Sequence, residues 1–498
     1  MGLGMLAGMT ACMSNAPPPI PLNPVRFLSI NDVYVADTTW EGRGGLARVA
    51  TVRNRLADQG PVVFVLAGDV LSPSLLSKYY NGAQMVEALN AAQLDYATFG
   101  NHEFDLPPDT LLARIAASKF KWVSSNCTRA DGTPMPGVLP WDTLRISGHK
   151  VGLFAVTLQG RYPDTVRCSS PDTAALRAVE ILSGEEADLI VGLTHQTALA
   201  DRDLLAREPR IDLILGGHEH EALDSTVSGR HVIKADANAR SAQFATLWGG
   251  KAKWRQAVGL VPIDRSLPSD TSVARVVAAW SDSLQRRAGP ERPVATTAVA
   301  IDPSQSLSRR RESSLGSLVS DAIRAGTRVD VALLNSGTLR LENVIRPGPV
   351  SNHQLEAIFP FADQTRIVTF PLTGARLRRL LEHSVSDGVL GTGGFLQVSG
   401  LSFTFNPARP SGNRVLAIRR GADTLRSDDS VTVALGAYSA CDGGDGYSVP
   451  EAAPACARRA AAPRAMDLLL QYLTDSLGGQ IQTPKNSRVL QAGNTNPG

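Results

Sequence analysis

A chain of 498 residues that is 43% hydrophobic is too long for one core and suits about two or three. Fifty basic against 47 acidic residues leave a net charge of +3, so no global field would hold DNA, another nucleic-acid polymer or a membrane surface. Eight lysines leave 42 arginines among the 50 basic residues, a bias that genome composition explains but that also suits bidentate phosphate recognition.

The first residues, MGLGMLAGMTAC, form a short apolar run ending at Cys12, ahead of a Pro-rich stretch from Ser14 to Pro24. The tetrad Met9-Thr10-Ala11-Cys12 resembles the lipobox of a bacterial lipoprotein signal, with Met where Leu is commoner and no basic residue before it. The expectation is export to the periplasm or, as a lipoprotein, to the outer membrane or cell surface, with Cys12 as the lipidation site. Such a run is too short to span a bilayer. The other cysteines are Cys127, Cys168, Cys441 and Cys456, an even number compatible with disulfides. Three pairings are open, and the short Gly- and Pro-containing loop between Cys441 and Cys456 favours that pair.

From Val25 to about Asp264 a short apolar run, a polar cluster and a helix-like stretch recur. The runs are Val25 to Ile30, Val62 to Leu66, Tyr96 to Phe99, Val151 to Thr157, Leu189 to Leu193 and Ile211 to Leu215. Lacking clean alternation, they predict strands covered on both faces, as in an α/β sandwich. Five of the six stop at Asp, Asn or His: Asn31-Asp32, Gly68-Asp69, Gly100-Asn101-His102, Thr194-His195 and Gly216-Gly217-His218-Glu219-His220. In open α/β sheets the carboxyl ends of strands form the ligand crevice, so these clusters should converge. Ser266 to Arg287 carries Val273, Val276, Val277, Trp280 and Leu284 at helical spacing and predicts a connector helix. Beyond it the texture changes, with an amphipathic helix after Glu312 and strands such as Val331 to Leu334 and Ile367 to Phe370. The chain therefore divides into a signal and linker over 1–24, an α/β domain over 25–265, the connector over 266–290, a second α/β domain over 291–490 and a tail over 491–498.

Phosphate ester hydrolysis needs a strong nucleophile, neutralised phosphoryl oxygens and help for the leaving group. Two divalent ions about 3.5 to 4 Å apart supply much of this. Their ligands should be carboxylates and imidazoles, and the strand-end clusters offer Asp32, Asp69, Asn101, His195, His218 and His220. His149, His231, His353 and His383 have no such setting and read as structural.

The motifs NDVY, AGD, FGNHEFD, LTHQ and GGHEH, in this order, resemble the calcineurin-like metallophosphoesterases, particularly the 5'-nucleotidase and UDP-sugar hydrolase family. The resemblance implies a four-layer α/β sandwich followed by a substrate-binding domain, with two metal ions drawn from Zn, Mn or Co. One ion would take Asp32, Asp69 and His220, and the other Asp69, Asn101, His195 and His218, with Asp69 bridging. His102 would stay unbound and face the phosphate, oriented by Asp105, as the catalytic pair. The family usually has His at the position of Tyr34. Either Tyr34 ligates as a phenolate, favouring Fe(III), or it borders the site while water fills the vacancy.

In the second domain, Arg309 opens a segment, RRRESSLG, that resembles the family's R-x-x-E-x-x-L-G helix start; Arg310 and Arg311 fit a solvated run. Asn335 and Arg340 match the family's N-[GS]-G-x-x-R turn, and Phe361 matches a base-stacking position. Asp445, in GGDGY, matches the residue that contacts sugar hydroxyls, while the second stacking position holds Ser439 with Tyr438 beside it. The implied function is hydrolysis of nucleotide phosphate esters by a metal-activated water, by a 5'-nucleotidase with UDP-sugars and 2',3'-cyclic nucleotides as further substrates, in extracytoplasmic salvage. The alternatives are a metallohydrolase of sulfur-compound (Sox-type) chemistry and a non-catalytic surface binding protein.

Overall fold

All six apolar runs form strands, at Val25–Ile30, Val63–Ala67, Tyr96–Thr98, His149–Thr157, Leu189–His195 and Leu213–Gly217. They belong to a computed structural model that describes residues 23–39, 42–160, 162–250, 253–302, 304–341, 343–361, 365–482 and 487–492. Cys12 and its lipobox-like tetrad lie outside the described residues.

Among the described residues the first three runs sit in a seven-stranded sheet ordered Lys253–Pro262, Ser241–Gly250, Val25–Ile30, Val63–Ala67, Tyr96–Thr98, Lys121–Val123, Val138–Leu139. The other three sit in a six-stranded sheet ordered Leu223–Val227, Arg230–Lys234, Leu213–Gly217, Leu189–His195, His149–Thr157, Trp141–Ile146. Phe27, Val65, Leu153, Val191 and Leu215 fill the space between the sheets. The outer face of the larger sheet is covered by helices Leu46–Ala57, Ala83–Ala91 and Pro108–Ala117, and that of the smaller by Pro171–Gly184 and Ala198–Arg207. The result is a four-layer sandwich, and coverage of both faces is why the strands read as unbroken apolar runs.

The connector helix begins later than the sequence suggests, spanning Thr271–Ala288. Ser266 instead bonds the Asp264 carboxylate, and Asp270 caps the helix by accepting from the Ser272 and Val273 N–H groups. Downstream, a four-stranded sheet orders Ile367–Thr373, Ser430–Gly436, Val331–Asn335 and Leu396–Ser399, with an apolar core on each face. The helix expected after Glu312 is Ser314–Thr327, capped by Ser313.

Disulfides join Cys127 to Cys168 and Cys441 to Cys456. No helix among the described residues is long and apolar enough to cross a membrane. The two halves touch directly: Lys78 Nζ lies 2.6 Å from Glu356 Oε1, and the Tyr79 hydroxyl donates to the same oxygen at 2.8 Å.

Candidate metal centre and substrate cleft

Neighbouring parallel strands end at one edge of each sheet, so the residues that follow them are carried to a common place. Strand Val25–Ile30 runs parallel to Val63–Ala67, and Val63–Ala67 to Tyr96–Thr98; in the facing sheet Leu189–His195 runs parallel to Leu213–Gly217. Asp32, Asp69 and His220 each bring one ligand atom within 4.8 Å of the others. His220 Nε2 is 3.3 Å from Asp32 Oδ1, His195 Nε2 is 3.3 Å from Asp69 Oδ2, and the His195 and His218 ring centroids are 5.3 Å apart. Asp32, Asp69, His218 and His220 all have positive φ, at 52°, 59°, 96° and 66°. Such backbone strain at non-glycine residues persists where the surrounding structure over-determines it, commonly at ligand sites. Two glycines permit the close approach: a Cβ on Gly100 would fall on the Asp69 carboxylate, and one on Gly217 would lie 3.0 Å from both Asp32 Oδ2 and His195 Nδ1.

The cluster fits metal ions by its own chemistry. His195 Nδ1–H donates to the Ala67 carbonyl at 2.8 Å, so Nε2 meets the Asp69 carboxylate, a pairing that is stable only with a proton or a metal cation between them. The same demand drives the His195 imidazole: burial pushes it down, but Asp69 and Asp32 outweigh this and bring it up to about 10. Burial pushes both carboxyls up, yet His220 and His195 hold Asp32 low, and His195 and His102 do so for Asp69. His218 is pushed down to about 3 by burial and then by His195, and His220 to about 4 by burial and then by Arg309, so both present neutral nitrogens. Asn101 Oδ1 is buried with no hydrogen-bond partner. Anionic oxygens, neutral imidazoles and an orphaned amide oxygen make a donor set suited to divalent cations.

Tyr34 is 1% exposed, and its hydroxyl lies 2.9 Å from His220 Nε2, 3.0 Å from Asp69 Oδ2 and 3.4 Å from Asp32 Oδ1. The phenol therefore stands among the candidate ligand atoms of Asp32, Asp69 and His220 rather than at the rim. Burial, then Asp69 and Asp32, push it well above the ordinary phenol range.

His102 sits one residue past Asn101 on a short 3-10 turn, His102–Asp105. Its Nδ1 is 2.8 Å from Asp105 Oδ2, which also accepts from Ser72 Oγ at 3.1 Å. Its backbone N–H donates to Asp69 Oδ1 at 2.8 Å. From the second half of the chain, Arg340 Nη2 donates to His102 Nε2 at 2.8 Å.

Arg340 is held by its Nε bond to the Gly337 carbonyl at 2.8 Å, with its guanidinium 5.7 Å from the Tyr34 ring and 5.5 Å from the Phe361 ring. Arg309 donates to Gln305 Oε1 at 2.5 Å, and burial, followed by the nearby Arg340 charge, pushes it down to about 10. Arg309 Nε and Arg340 Nη1 are buried without partners. Two close guanidiniums with unmatched N–H groups are complementary to an anion. Gln397 holds the Arg309 segment, donating to the Ser308 and Arg311 carbonyls at 2.7 and 2.8 Å.

Asn335 Nδ2 donates to Asp445 Oδ2 at 3.1 Å, and the Thr338 hydroxyl donates to Asn335 Oδ1 at 2.7 Å. The Phe361 ring is 5.7 Å from that of His102. Tyr438 lies on helix Ala437–Cys441, 39% exposed, with its ring against Gly444 of the Gly-Gly-Asp-Gly turn, whereas Ser439 is fully buried. Arg310 and Arg311 are exposed.

Some residues around the site were not singled out by the sequence. Buried Glu103 accepts from the backbone N–H groups of Asp69, Val70, Leu71 and Gly100, tying the loops of Asp69 and Asn101 together. Asn238 Oδ1 accepts from the Tyr34 N–H at 2.9 Å. Lys234 is buried beneath the histidine turns. His383, expected to be structural, reaches the Asp445 carbonyl from Nε2 at 2.8 Å. Only Glu103 had a possible cue, its place inside FGNHEFD.

Known families match both halves of the chain. Residues 25–222 match the model of the calcineurin-like phosphoesterases, and residues 293–452 that of the 5'-nucleotidase C-terminal domain. The trifunctional nucleotide phosphoesterase YfkN of Bacillus subtilis is 26% identical over 445 residues, covering 77% of this chain but 30% of its own length. The 5'-nucleotidase of Homo sapiens is 25% identical over 465 residues, covering 82% of this chain and 79% of its own. Among solved structures, the 5'-nucleotidase precursor of Thermus thermophilus shares the fold with a TM-score of 0.82 at 22% identity, over 94% of this chain and 99% of that one. The sulfate thiohydrolase SoxB of T. thermophilus shares it with a TM-score of 0.78 at 18% identity, over 96% and 98%.

Proposed function

Since this chain belongs to the 5'-nucleotidase family of calcineurin-like metallophosphoesterases, a family of phosphoric monoester hydrolases, we propose that it releases phosphate from nucleoside 5'-monophosphates in extracytoplasmic salvage. The observation that carries this reading is the 2.8 Å contact between Arg340 and His102, which joins the substrate-gripping residues of one domain to the metal cluster of the other. UDP-sugars and 2',3'-cyclic nucleotides are further candidate substrates.

In this reading Asp32, Asp69 and His220, with the Tyr34 hydroxyl beside them, would hold one ion, and Asp69, Asn101, His195 and His218 the other. When bound, the pair would neutralise phosphoryl oxygens and acidify a water. The free N–H groups of Arg309 and Arg340 grip the phosphate, and Arg340 exchanges its contact with His102 for one with substrate. His102 Nε2 then faces the leaving oxygen and hands it a proton, while Asp105 stabilises the imidazolium. Phe361 and Tyr438 offer faces to the base, and Asp445, steadied by Asn335, accepts from the ribose hydroxyls.

Metal-dependent phosphate release from AMP tests the reading, and its absence with Mn, Zn and Co overturns it. Asp445→Ala should raise KM for AMP by roughly 10- to 100-fold, the scale of a lost charged hydrogen bond, with kcat little changed. The SoxB likeness concerns the fold alone, and Arg309, Asn335, Phe361 and Asp445 favour a nucleotide over a sulfur compound.

Tyr34 bears on metal identity. Ligation by a phenolate predicts a visible charge-transfer band on reconstitution with Fe(III), absent from Tyr34→Phe. A colourless iron-loaded wild type would exclude Tyr34 as a ligand.

A further inference from the structure

Lys234 is one of eight lysines in the chain, and its side chain is 0% exposed. It ends strand Arg230–Lys234, opposite Gly216. Its ammonium donates to the Gln196 carbonyl at 2.7 Å, the Gly217 carbonyl at 2.8 Å and Glu219 Oε2 at 2.6 Å, and pairs with the Asp201 carboxylate, whose Oδ2 lies 2.8 Å away. Gln196 follows His195, and Gly217 precedes His218. The two carboxylates reach the same turns, since Glu219 also accepts from the Ala198 N–H and Asp201 Oδ1 from Gln196 Nε2 at 3.0 Å. The arrangement packs directly under the strand, because a Cβ on Gly216 would lie 2.8 Å from Lys234 Cε.

The geometry points to Lys234 as a positioning residue that, with Asp201 and Glu219, locks the His195 and His218 turns together and sets the affinity of the ion they hold. It rests on the two-ion reading above. Beyond Glu219, which precedes it, His220 has anchors of its own: its carbonyl accepts from the Ala237 N–H at 3.1 Å and from Arg240 Nη2 at 3.3 Å, and the Asp32 carbonyl accepts from the Asn238 N–H at 2.8 Å. A buried charge that loses its partner is strongly unfavourable, so the triad favours one register of the two turns.

The test is a titration of the metal-stripped full chain with Co(II) alone, followed by visible absorbance and calorimetry. His218→Ala identifies the step belonging to the His195 and His218 ion. Lys234→Met should weaken that step by about 10- to 100-fold, the usual effect of removing an outer partner of metal ligands, alter its absorption band and leave the other step unchanged. Glu219→Gln, which keeps the side-chain volume, should move the same step in the same direction and decides the matter where Lys234→Met does not fold. An unchanged step in folded variants, or equal weakening of both steps, overturns the role of Lys234. A wild type that binds fewer than two ions overturns the two-ion reading instead.

Discussion

His102→Ala is expected to lower kcat toward AMP by about 10²- to 10⁴-fold, the usual contribution of a positioned acid or base, while metal content stays at the wild-type level. The substitution removes the imidazole between Asp105 and Arg340 but keeps the backbone N–H that donates to Asp69 Oδ1. The metal loops therefore lose no support. If the imidazole protonates the leaving oxygen, the loss should shrink for an aryl phosphate, whose leaving group departs without a proton. Metal analysis with parallel kinetics on AMP and p-nitrophenyl phosphate checks both points. Unchanged kcat on AMP would remove His102 from the reaction, and an equal loss on both substrates would make its role charge stabilisation rather than proton donation.

Asp69→Asn carries the second large effect. The Asp69 carboxylate faces the Tyr34 hydroxyl at 3.0 Å and His195 Nε2 at 3.3 Å, so the proposed ions would meet through it. An amide of the same size removes the anion and leaves the packing. Both ions should be lost on dialysis, with kcat/KM lower by at least roughly 10³-fold, the upper range for losing one preorganised electrostatic partner of the transition state and a floor here because the ions go with it. The fold should persist, because Glu103 still receives the N–H groups of the loop. Metal content, far-UV circular dichroism and turnover test this, and retention of two ions with near-wild-type turnover would deny Asp69 a bridging role.

Tyr34 shows where reading by sequence stopped. The family resemblance marked it as a substitution where a His is usual, and the chemistry of a phenol left two roles open. Tertiary packing puts the hydroxyl among Asp32, Asp69 and His220. His383 shows the converse: an isolated histidine with no motif around it reaches the turn carrying Asp445 because helix Gly374–Ser384 packs there.

The strands, the clusters at their ends and the chemistry those clusters offer were all legible in the order of residues. Each is written locally: an apolar run buried on both faces needs no distant partner to be recognised, and Asp, Asn and His at a strand end announce a crevice. Which buried charges meet was left to folding. Glu103 with the N–H groups of Asp69, Val70 and Leu71, Lys234 between Asp201 and Glu219, and Arg340 against His102 join residues far apart in the chain. The cost of burying a charge selects such partners only once packing has excluded water, and no short stretch of sequence records that cost.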